Sequence, residues 1–361
     1  MRYSVGYRIA MTDRAALLSA LLPKVSGDPR GMIAIARQLI AAGEQRRALE
    51  LAEQVHAMTG GRGEAGVTAA EILSDGVHSW HFVIPFDRAR NQAYEQALIR
   101  AIRPGCRVLE IGAGSGLLAM MAARQGARVV TCEADPAIAS AARDVVAVNG
   151  FADRVTVVNK HSTALDADRD LGGRADILVS EIVSNDLLSE GVLAAHEDAV
   201  ARLLVPGGVV IPARGTIRVA LARDLRNRVQ RLTEASGFDL SAFNRLAAPS
   251  EMIRVGMEQV ALCSDPVDLF SFDFAAAEPG KAERREFAIT SQGGRVDGII
   301  QWIALEMDAV GRYENRPEPG AASCWGALLW RFPQPLETLA GEAVAVGGAH
   351  ERDRVRLWQA N

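Results

Sequence analysis

Two glutamates and a glycine turn could together hold a ligand that carries both a cationic group and a ribose. The stretch from 108 to 121, VLEIGAGSGLLAMM, predicts a buried strand, a tight turn containing Gly112 and Gly114, and an apolar helix start. Glycine lets the backbone turn sharply and lie close to a ligand, because no Cβ stands in the way. Glu110 ends the strand, where it suits a cationic group. Glu133 ends the next predicted strand, where its carboxylate is placed to accept both ribose hydroxyls.

The spacing of these residues argues against two other nucleotide-binding patterns. A dinucleotide dehydrogenase would carry its third glycine at position 117, which is Leu117, and no Gly-Lys-Ser/Thr of a phosphate-binding P-loop follows. A glutamate just before the first glycine suits a methionine amino group beside a sulfonium better than a pyrophosphate. The stretch is therefore similar to the cofactor turn of class I S-adenosylmethionine methyltransferases, with a plain turn of an α/β core as the alternative.

A second pair of glutamates, Glu181 and Glu190, flanks the loop after a later predicted strand. A hairpin-like excursion between them would bring both carboxylates to one point. Two adjacent carboxylates repel each other unless a cation lies between them. A guanidinium is planar and can donate paired hydrogen bonds to each carboxylate. For Glu190 alone, the alternative is an acidic residue favoured by the dipole at a helix N-terminus.

The segment before the first strand adds Asp87 and Arg90. Asp87 suits the N-cap of a helix that begins just after it. Arg90 would then lie on the first turns of that helix, where its fork could bind the carboxylate of a ligand. The alternative for Arg90 alone is a solvated surface arginine.

Strands and helices alternate from 108 to 212, which predicts a parallel, doubly wound sheet with ligands at the carboxyl ends of its strands. The predicted strands are 107–111, 128–132, 154–158, 175–180 and 208–212, and the predicted helices are 116–125, 135–148 and 189–204. After 208 the pattern changes to the alternation of an antiparallel sheet or barrel. Its predicted strands are 216–221, 254–262, 267–274, 283–290, 295–307 and 323–332, with a last one in 351–361.

These patterns divide the chain into three predicted parts. A short helical segment at 1–63 precedes a Rossmann-like α/β methyltransferase domain at 64–213, and a β-barrel-like substrate domain with a charged helical arm at about 223–246 occupies 214–361. The helical segment fits either one repeat of the tetratricopeptide kind or a helical cap docked on the core. A protein partner for these helices is a further expectation.

Composition bounds the classes of function. The 361 residues carry a formal net charge of −4, so no overall basic field favours direct nucleic-acid binding. The four cysteines form neither a Cys-x-x-Cys pair nor a zinc spacing with the six histidines, which predicts no metal site and a reduced, cytoplasmic protein. No apolar run approaches the roughly 20 residues of a membrane span, and the start has no signal-peptide core.

Taken together, these residues resemble the protein arginine methyltransferase family, nearest to its type III and tandem-domain branch. The resemblance runs from about Trp80 to the C-terminus, and its phrases are NKHST at 159–163, LVSE at 178–181 and EGVL at 190–193. It implies S-adenosylmethionine as cofactor and arginine of a protein or peptide as substrate, gripped by Glu181 and Glu190. It also implies a homodimer through the arm. The cofactor contacts that it implies are His81, Arg90, Glu110, Gly112, Gly114 and Glu133, with Ser162 and Thr163 at the adenine.

The chain departs from the family pattern around the predicted catalytic site. The family's Thr-His-Trp loop is Ser323-Cys324-Trp325 here, so Cys324 stands where a histidine would partner Asp87. Cysteine cannot form that ion pair, although the resemblance still places Asp87, Cys324 and Trp325 at the catalytic site. The aromatic residues usual after the first substrate glutamate are also replaced, by Ile182, Val183, Ser184 and Asn185. The alternatives are a methyltransferase acting on another nucleophile and a cofactor-binding scaffold without activity.

Overall fold

The computed structural model of the chain describes residues 16–226 and 232–360. Its first part is helical, with α1 at 16–25, α2 (Pro29–Ala41), α3 (Gln45–Thr59) and α4 (Gly63–Ser74). Their apolar faces share one cluster that includes Leu39, Val55 and Ile72. Glycines with positive φ at 60, 61 and 63 close a tight turn between α3 and α4, so this cluster continues past the predicted boundary at 63. Residues 1–15 of the predicted helical segment lie outside the described residues.

The predicted parallel sheet is confirmed. Its strands are β1 (Arg107–Ile111), β2 (Arg128–Glu133), β3 (Val155–Asn159), β4 (Ala175–Ser180) and β5 (Leu204–Ile211), in the order β3-β2-β1-β4-β5. The helices are α5 (Arg88–Ala101), α6 (Leu117–Arg124), α7 (Pro136–Val148), α8 (Ala167–Leu171) and α9 (Val192–Arg202). Chain order reverses beside β1, between its neighbours β2 and β4. This switch point is where open α/β sheets bind ligands.

A separate antiparallel sheet follows, as predicted. Its strands are β6 (Arg214–Asp224), β9 (Ser250–Ile253), β10 (Val260–Leu262), β11 (Val267–Asp273), β12 (Glu283–Glu306), β13 (Arg312–Glu314), β14 (Ala327–His350) and β15 (Val355–Gln359), and a two-stranded ribbon is made by β7 (Glu234–Ala235) and β8 (Phe238–Asp239). Paired along most of their length, β12 and β14 form its long centre. Their apolar faces join one core with the parallel sheet, so the two sheets pack together.

Three details of the antiparallel part differ from the sequence prediction. The predicted strand 254–262 is instead the separate strands β9 and β10, because Gly256 turns the chain at φ +87° between them. Two predicted strands, 283–290 and 295–307, are one strand, β12, with an irregularity between Thr290 and Gln292. The second half of β14, from 333 to 350, was not predicted.

The predicted arm is helical only in part. A short 3-10 helix covers Ser241–Leu246, while 234–239 forms the β7–β8 ribbon, and 227–231 lies outside the described residues. Several large apolar side chains of this arm are exposed, including Phe238 (71%), Phe243 (64%) and Leu246 (66%). Within 16–226 and 232–360, no helix combines the length and the apolar character that crossing a membrane requires.

Candidate active site

A cavity of about 310 Å³ opens beside the carboxyl ends of β1, β2 and β4. Eight of the predicted site residues line it: His81, Arg90, Glu110, Gly112, Gly114, Glu133, Glu181 and Glu190. A larger concavity of about 730 Å³ lies at the opposite, amino-terminal edge of the sheet, and none of the predicted site residues lines it. The sheet therefore brings these eight predicted site residues together at the carboxyl ends of its strands.

The glycine turn after β1 brings the backbone to the cavity wall. Gly112 has φ +87°, and a Cβ there would lie 2.8 Å from the Ile182 side chain, so only glycine fits. Gly114 also has a positive φ, with nothing within 4 Å of the position of a Cβ. Its N–H donates to Glu133 Oε2 at 3.2 Å, and Asp135 N–H donates to Oε1 at 3.0 Å. These two bonds hold the Glu133 carboxylate at the cavity, as a ribose acceptor requires.

Glu110 is a buried carboxyl group with an unused acceptor. Its side chain is almost fully enclosed, yet Oε2 has no hydrogen-bond partner. Burial raises the pKa of Glu110 to about 8, although Thr131 and then Arg90 oppose the shift. A cation entering the cavity would relieve this burial penalty by pairing with the ionised carboxylate.

Arg90 links the cofactor end of the cavity to the first predicted substrate glutamate. Its Nη2 lies 2.8 Å from Glu181 Oε2, and its Nη1 donates to Asn91 Oδ1 at 2.7 Å. The buried Nε has no acceptor among the described residues. Tyr94 lies beneath the guanidinium, with Cζ 5.3 Å from the ring centroid. The solvated-surface alternative for Arg90 is therefore wrong, because this side chain is buried and aimed at the cavity.

His81 lies in a short aromatic stack over the mouth of the cavity. Its ring packs on Trp80 at 3.7 Å between centroids, and both residues belong to the 3-10 turn Ser79–Phe82. Burial lowers the pKa of His81, although the carboxylates of Glu133 and Asp135 oppose the shift. His81 therefore faces the predicted ribose side of the cavity.

The loop from Glu181 to Glu190 makes the predicted excursion. Asp186 Oδ1 organises it by accepting the backbone N–H groups of Leu188 and Ser189 at 3.1 and 3.0 Å. Burial raises the pKa of Glu181 to about 7, against the opposing effect of Arg90, and Glu190 adds repulsion. Glu190 stands exposed at the mouth, and its pKa is also raised by desolvation. Both carboxylates line one cavity.

Hydrogen bonds from the antiparallel domain hold the loop that follows Glu181. Trp325 is buried, and its indole N–H donates to Val183 O at 2.9 Å. Gly326 N–H donates to Asn185 Oδ1 at 2.8 Å. Trp325 therefore does not line the cavity; its contacts position the backbone that follows Glu181.

Asp87 and Cys324 meet behind the cavity wall. Asp87 caps α5, its Oδ1 accepting Arg90 N–H at 2.9 Å, and its Oδ2 accepts Cys324 N–H, also at 2.9 Å. Burial raises the pKa of the Cys324 thiol, and repulsion from Asp87 and Glu181 adds to the shift. The thiol therefore stays neutral, and Cys324 meets Asp87 through its backbone N–H and its side chain. Neither residue lines the cavity.

Ser162 and Thr163, which the resemblance places at the adenine, lie in the turn that follows β3. They form a 3-10 turn that packs toward α9, where Arg202 Nη2 donates to Thr163 O at 3.2 Å. Neither residue lines the cavity. Asn159 Nδ2, at the end of β3, donates to Glu133 O at 2.9 Å. The side chains that do line the wall beyond Glu133 are Asp135 and Ile138.

Two groups that the sequence analysis did not identify support Glu181. Tyr94 is fully buried and donates its hydroxyl to Ser180 O at 2.9 Å. The side chain of Ser180 makes a second contact, with Oγ 2.6 Å from His196 Nε2. Burial lowers the pKa of His196 to about 4, so its imidazole is neutral. The sequence does not single out Tyr94 or His196, because each lies on the buried face of its helix, where apolar spacing predicts an ordinary core position.

The arrangement is suited to transfer between two bound groups. One end offers a backbone turn, a ribose acceptor, a buried donor and a buried carboxyl group, and the other end offers two carboxylates. No group of three or more potential metal ligands occurs within the described ranges 16–226 and 232–360. The chemistry of these donors and acceptors fits a zwitterionic nucleoside beside a guanidinium.

Sequence comparison finds relatives over most of the chain. A family model for the ribosomal protein L11 methyltransferase (PrmA) matches residues 92–234. An arginine N(omega)-methyltransferase of Streptomyces achromogenes subsp. streptozoticus is 39% identical over 283 residues, which is 77% of each chain. Protein arginine N-methyltransferase 7 of Aedes aegypti is 32% identical over 337 residues, covering 78% of this chain and 47% of that protein. The chain therefore spans less than half the length of the latter relative.

Comparison of structures finds the same fold. The Trypanosoma brucei PRMT1 enzyme–prozyme heterotetrameric complex with AdoHcy matches with a TM-score of 0.67 and 24% identity, over 76% of this chain and 88% of that chain. Arabidopsis thaliana protein arginine methyltransferase 10 matches with a TM-score of 0.62 and 21% identity, over 76% and 89%. At these identities the structures support the pairing of a parallel sheet with an antiparallel domain.

Proposed function

The chain belongs to the protein arginine methyltransferase family, and we propose how its cavity transfers a methyl group to a terminal guanidino nitrogen of arginine. In this proposal the cofactor occupies the β1–β2 end of the cavity and the guanidinium lies between Glu181 and Glu190. One observation carries the proposal: Arg90, predicted to hold the cofactor, contacts Glu181 at 2.8 Å in the cavity that Glu190 also lines.

The cofactor is S-adenosylmethionine, and the buried groups of the cavity fit it. The unused Nε of Arg90 suits its carboxylate, and the unused Oε2 of Glu110 suits its amino group. Glu133 suits the ribose, and the open space at Gly114 admits the nucleoside close to the backbone. When bound, S-adenosylmethionine supplies a methyl group on a sulfonium.

Glu181 and Glu190 would orient the acceptor nitrogen. A guanidinium remains protonated below about pH 12, so its nitrogens are poor nucleophiles. Carboxylates that accept hydrogen bonds from the other nitrogens draw positive charge toward them and leave one terminal nitrogen richer in electrons. That nitrogen is then held in line with the methyl group, and such positioning supplies up to about 7–11 kcal/mol of the barrier in well-oriented reactions.

The transfer is an in-line displacement. A nitrogen–carbon bond forms, the sulfur–carbon bond breaks, and its electron pair remains on sulfur as a thioether. The methylated nitrogen loses a proton, for which Glu190 is the proposed acceptor because it is exposed at the mouth and can pass the proton to water. Its raised pKa makes the Glu190 carboxylate a better base than an ordinary surface glutamate.

Arginine in a protein or peptide is the first proposed substrate, and free arginine is the second. The second is favoured by the 39% identity, over 77% of each chain, to a Streptomyces relative named an arginine N(omega)-methyltransferase, without the word protein. An assay that offers a peptide and free arginine to the same enzyme and cofactor distinguishes these two substrates.

We also propose that the chain pairs with a second copy through its arm. The side chains of Phe238, Phe243 and Leu246 expose apolar area that a homodimer would cover. A cytoplasmic location and a protein partner for α1–α4 stay predictions.

The test of the proposed function is methyl transfer from labelled S-adenosylmethionine to arginine-rich peptides and to free arginine, with products identified by mass spectrometry. We expect methyl on a terminal guanidino nitrogen of at least one of these substrates. Methyl on another nucleophile, or none on any substrate by protein that binds the cofactor, would contradict the proposal.

A further inference from the structure

The hydroxyl of Tyr313 reaches across the domain boundary to Asp87. Tyr313 lies on β13 of the antiparallel sheet, and its hydroxyl donates to Asp87 Oδ2 at 2.8 Å. The same Tyr313 hydroxyl also lies 2.6 Å from Ser323 Oγ. Since a carboxylate can only accept, Tyr313 donates to Asp87 and accepts from Ser323. Ser323 in turn accepts Trp325 N–H at 3.0 Å.

Asp87 is a buried carboxyl group that no cation contacts within the described residues. Only 6% of it is exposed, and its hydrogen bonds come from the N–H groups of Arg90 and Cys324 and from the hydroxyl of Tyr313. Burial raises the pKa of Tyr313, so its hydroxyl keeps its proton and remains a donor. Tyr313 therefore supplies the hydroxyl hydrogen bond to Asp87, a stronger one than the neighbouring Cys324 thiol can donate.

The position of Asp87 bears on the cavity through α5. Asp87 caps the first turn of this helix by accepting Arg90 N–H, and the Arg90 side chain contacts Glu181. A shift of that first turn would move Arg90 away from Glu181 and redirect its unused Nε. Tyr313 does not line the cavity, so an effect of its hydroxyl on a ligand is indirect, and the route through Asp87 ends at the Arg90 guanidinium.

We propose that Tyr313 is a positioning residue, whose hydroxyl fixes Asp87 and thereby the cofactor-facing guanidinium of Arg90. This proposal extends the proposed function, because it makes the antiparallel domain a support of the cofactor end of the site. It also bears on Cys324: the loop position offers Asp87 a backbone N–H and a thiol, which is a weak donor, and the stronger side-chain donor comes from β13.

The experiment measures binding of S-adenosylhomocysteine by calorimetry, which requires no turnover and so does not depend on the proposed reaction. Tyr313→Phe keeps the ring that lies 5.4 Å from Trp325 and removes the hydroxyl. We expect about tenfold weaker binding, since hydrogen bonds to charged groups are among the stronger ones. Ser323→Ala leaves the hydroxyl in place but removes its donor, and we expect a smaller loss in the same direction.

The matched control is Ser291→Ala, which removes a buried hydroxyl pair with Thr338 (2.7 Å) in the long strands of the antiparallel sheet. Its binding should be unchanged even where its melting temperature falls as much as that of Tyr313→Phe. The double variant Tyr313→Phe/Cys324→His places a new side-chain donor on the loop and should recover most of the lost affinity. Wild-type affinity in Tyr313→Phe, equal weakening by Ser291→Ala, or no recovery in the double variant would each overturn the proposal.

Discussion

The guanidinium of Arg90 lies 2.8 Å from the carboxylate of Glu181, so one ion pair joins the two halves of the cavity. Nη2 is engaged with Glu181, while Nε is buried and unused. In the proposed function, one arginine can therefore bind a ligand carboxylate along one edge and hold Glu181, the proposed substrate glutamate, with another nitrogen. Cofactor affinity and the orientation of Glu181 should then change together when Arg90 is altered.

Replacing Arg90 with lysine should weaken binding of S-adenosylhomocysteine at least about tenfold, because an ammonium cannot reproduce the planar fork. Methyl transfer should fall further, since Glu181 loses its partner. Arg100→Lys, on the same helix and paired with Asp308 at 2.7 Å, is the control and should bind as the wild type does. Binding would be measured by calorimetry, and equal affinity of Arg90→Lys and Arg100→Lys would rule out the assigned contact.

Cofactor affinity should rise with pH between 6 and 7.5. The pKa of Glu110 is raised to about 8, so this carboxyl group is largely protonated there and must lose its proton to pair with an ammonium. Linkage then gives up to about a tenfold gain in affinity per pH unit. Titrations of S-adenosylhomocysteine at several pH values should show this slope in the wild type and not in Glu110→Gln. A slope that persists in the variant would remove Glu110 from the amino-group site.

The ligand-free protein should lose stability between pH 6.5 and 8. Glu110 and Glu181 have folded pKa values of about 8 and about 7, above the ordinary value of 4.5. In that window the folded state holds more protons than the unfolded chain, so the unfolding free energy falls as pH rises. Buried His196, with its pKa lowered to about 4, has the opposite effect only below about pH 6.5.

Urea denaturation across this window checks that prediction. Saturating S-adenosylhomocysteine should flatten the decrease, because a bound ammonium favours the ionised carboxylate of Glu110. Stability that increases from pH 6.5 to 8 in the ligand-free protein would contradict the raised pKa values of Glu110 and Glu181.

Phe243→Asp should shift the chain from dimer to monomer. The phenylalanine is 64% exposed on the 3-10 helix of the arm, so the change leaves the packed core intact while it puts a charge at the proposed interface. Light scattering coupled to gel filtration measures the mass. Leu339→Asp, at a residue that is 78% exposed on β14 away from the arm, is the matched control and should remain dimeric. A wild-type monomer would contradict the dimer proposal.

The sequence was most informative where function depends on local geometry. The turn at Gly112 and Gly114 and the acids at the ends of β1 and β2 follow from a short pattern of strand, turn and helix. The same is true of the Asp87 cap, whose acceptor and donor are three residues apart. These features were correctly located because one segment determines each of them.

Contacts between distant segments could not be predicted in this way. Tyr313 and Asp87 are 226 positions apart, and nothing near either residue indicates the other. For a similar reason, the contact of Arg202 with Thr163 O, between segments 39 positions apart, has no local sequence signal. The charge pattern of the arm predicts a helix, whereas a turn at Gly237, with φ +84°, folds residues 234–239 into the β7–β8 ribbon.

The central claim is tested most directly by methyl transfer and cofactor binding in Glu181→Gln. The amide keeps the size of the side chain but has no negative charge to attract a guanidinium. Methyl transfer should therefore fall by about a hundredfold or more. Binding of S-adenosylhomocysteine should remain within about threefold of the wild type, a difference of less than 1 kcal/mol. The control is Glu197→Gln on α9, which removes a surface ion pair with Arg352. It should change neither methyl transfer nor cofactor binding. Wild-type transfer by Glu181→Gln would contradict the account.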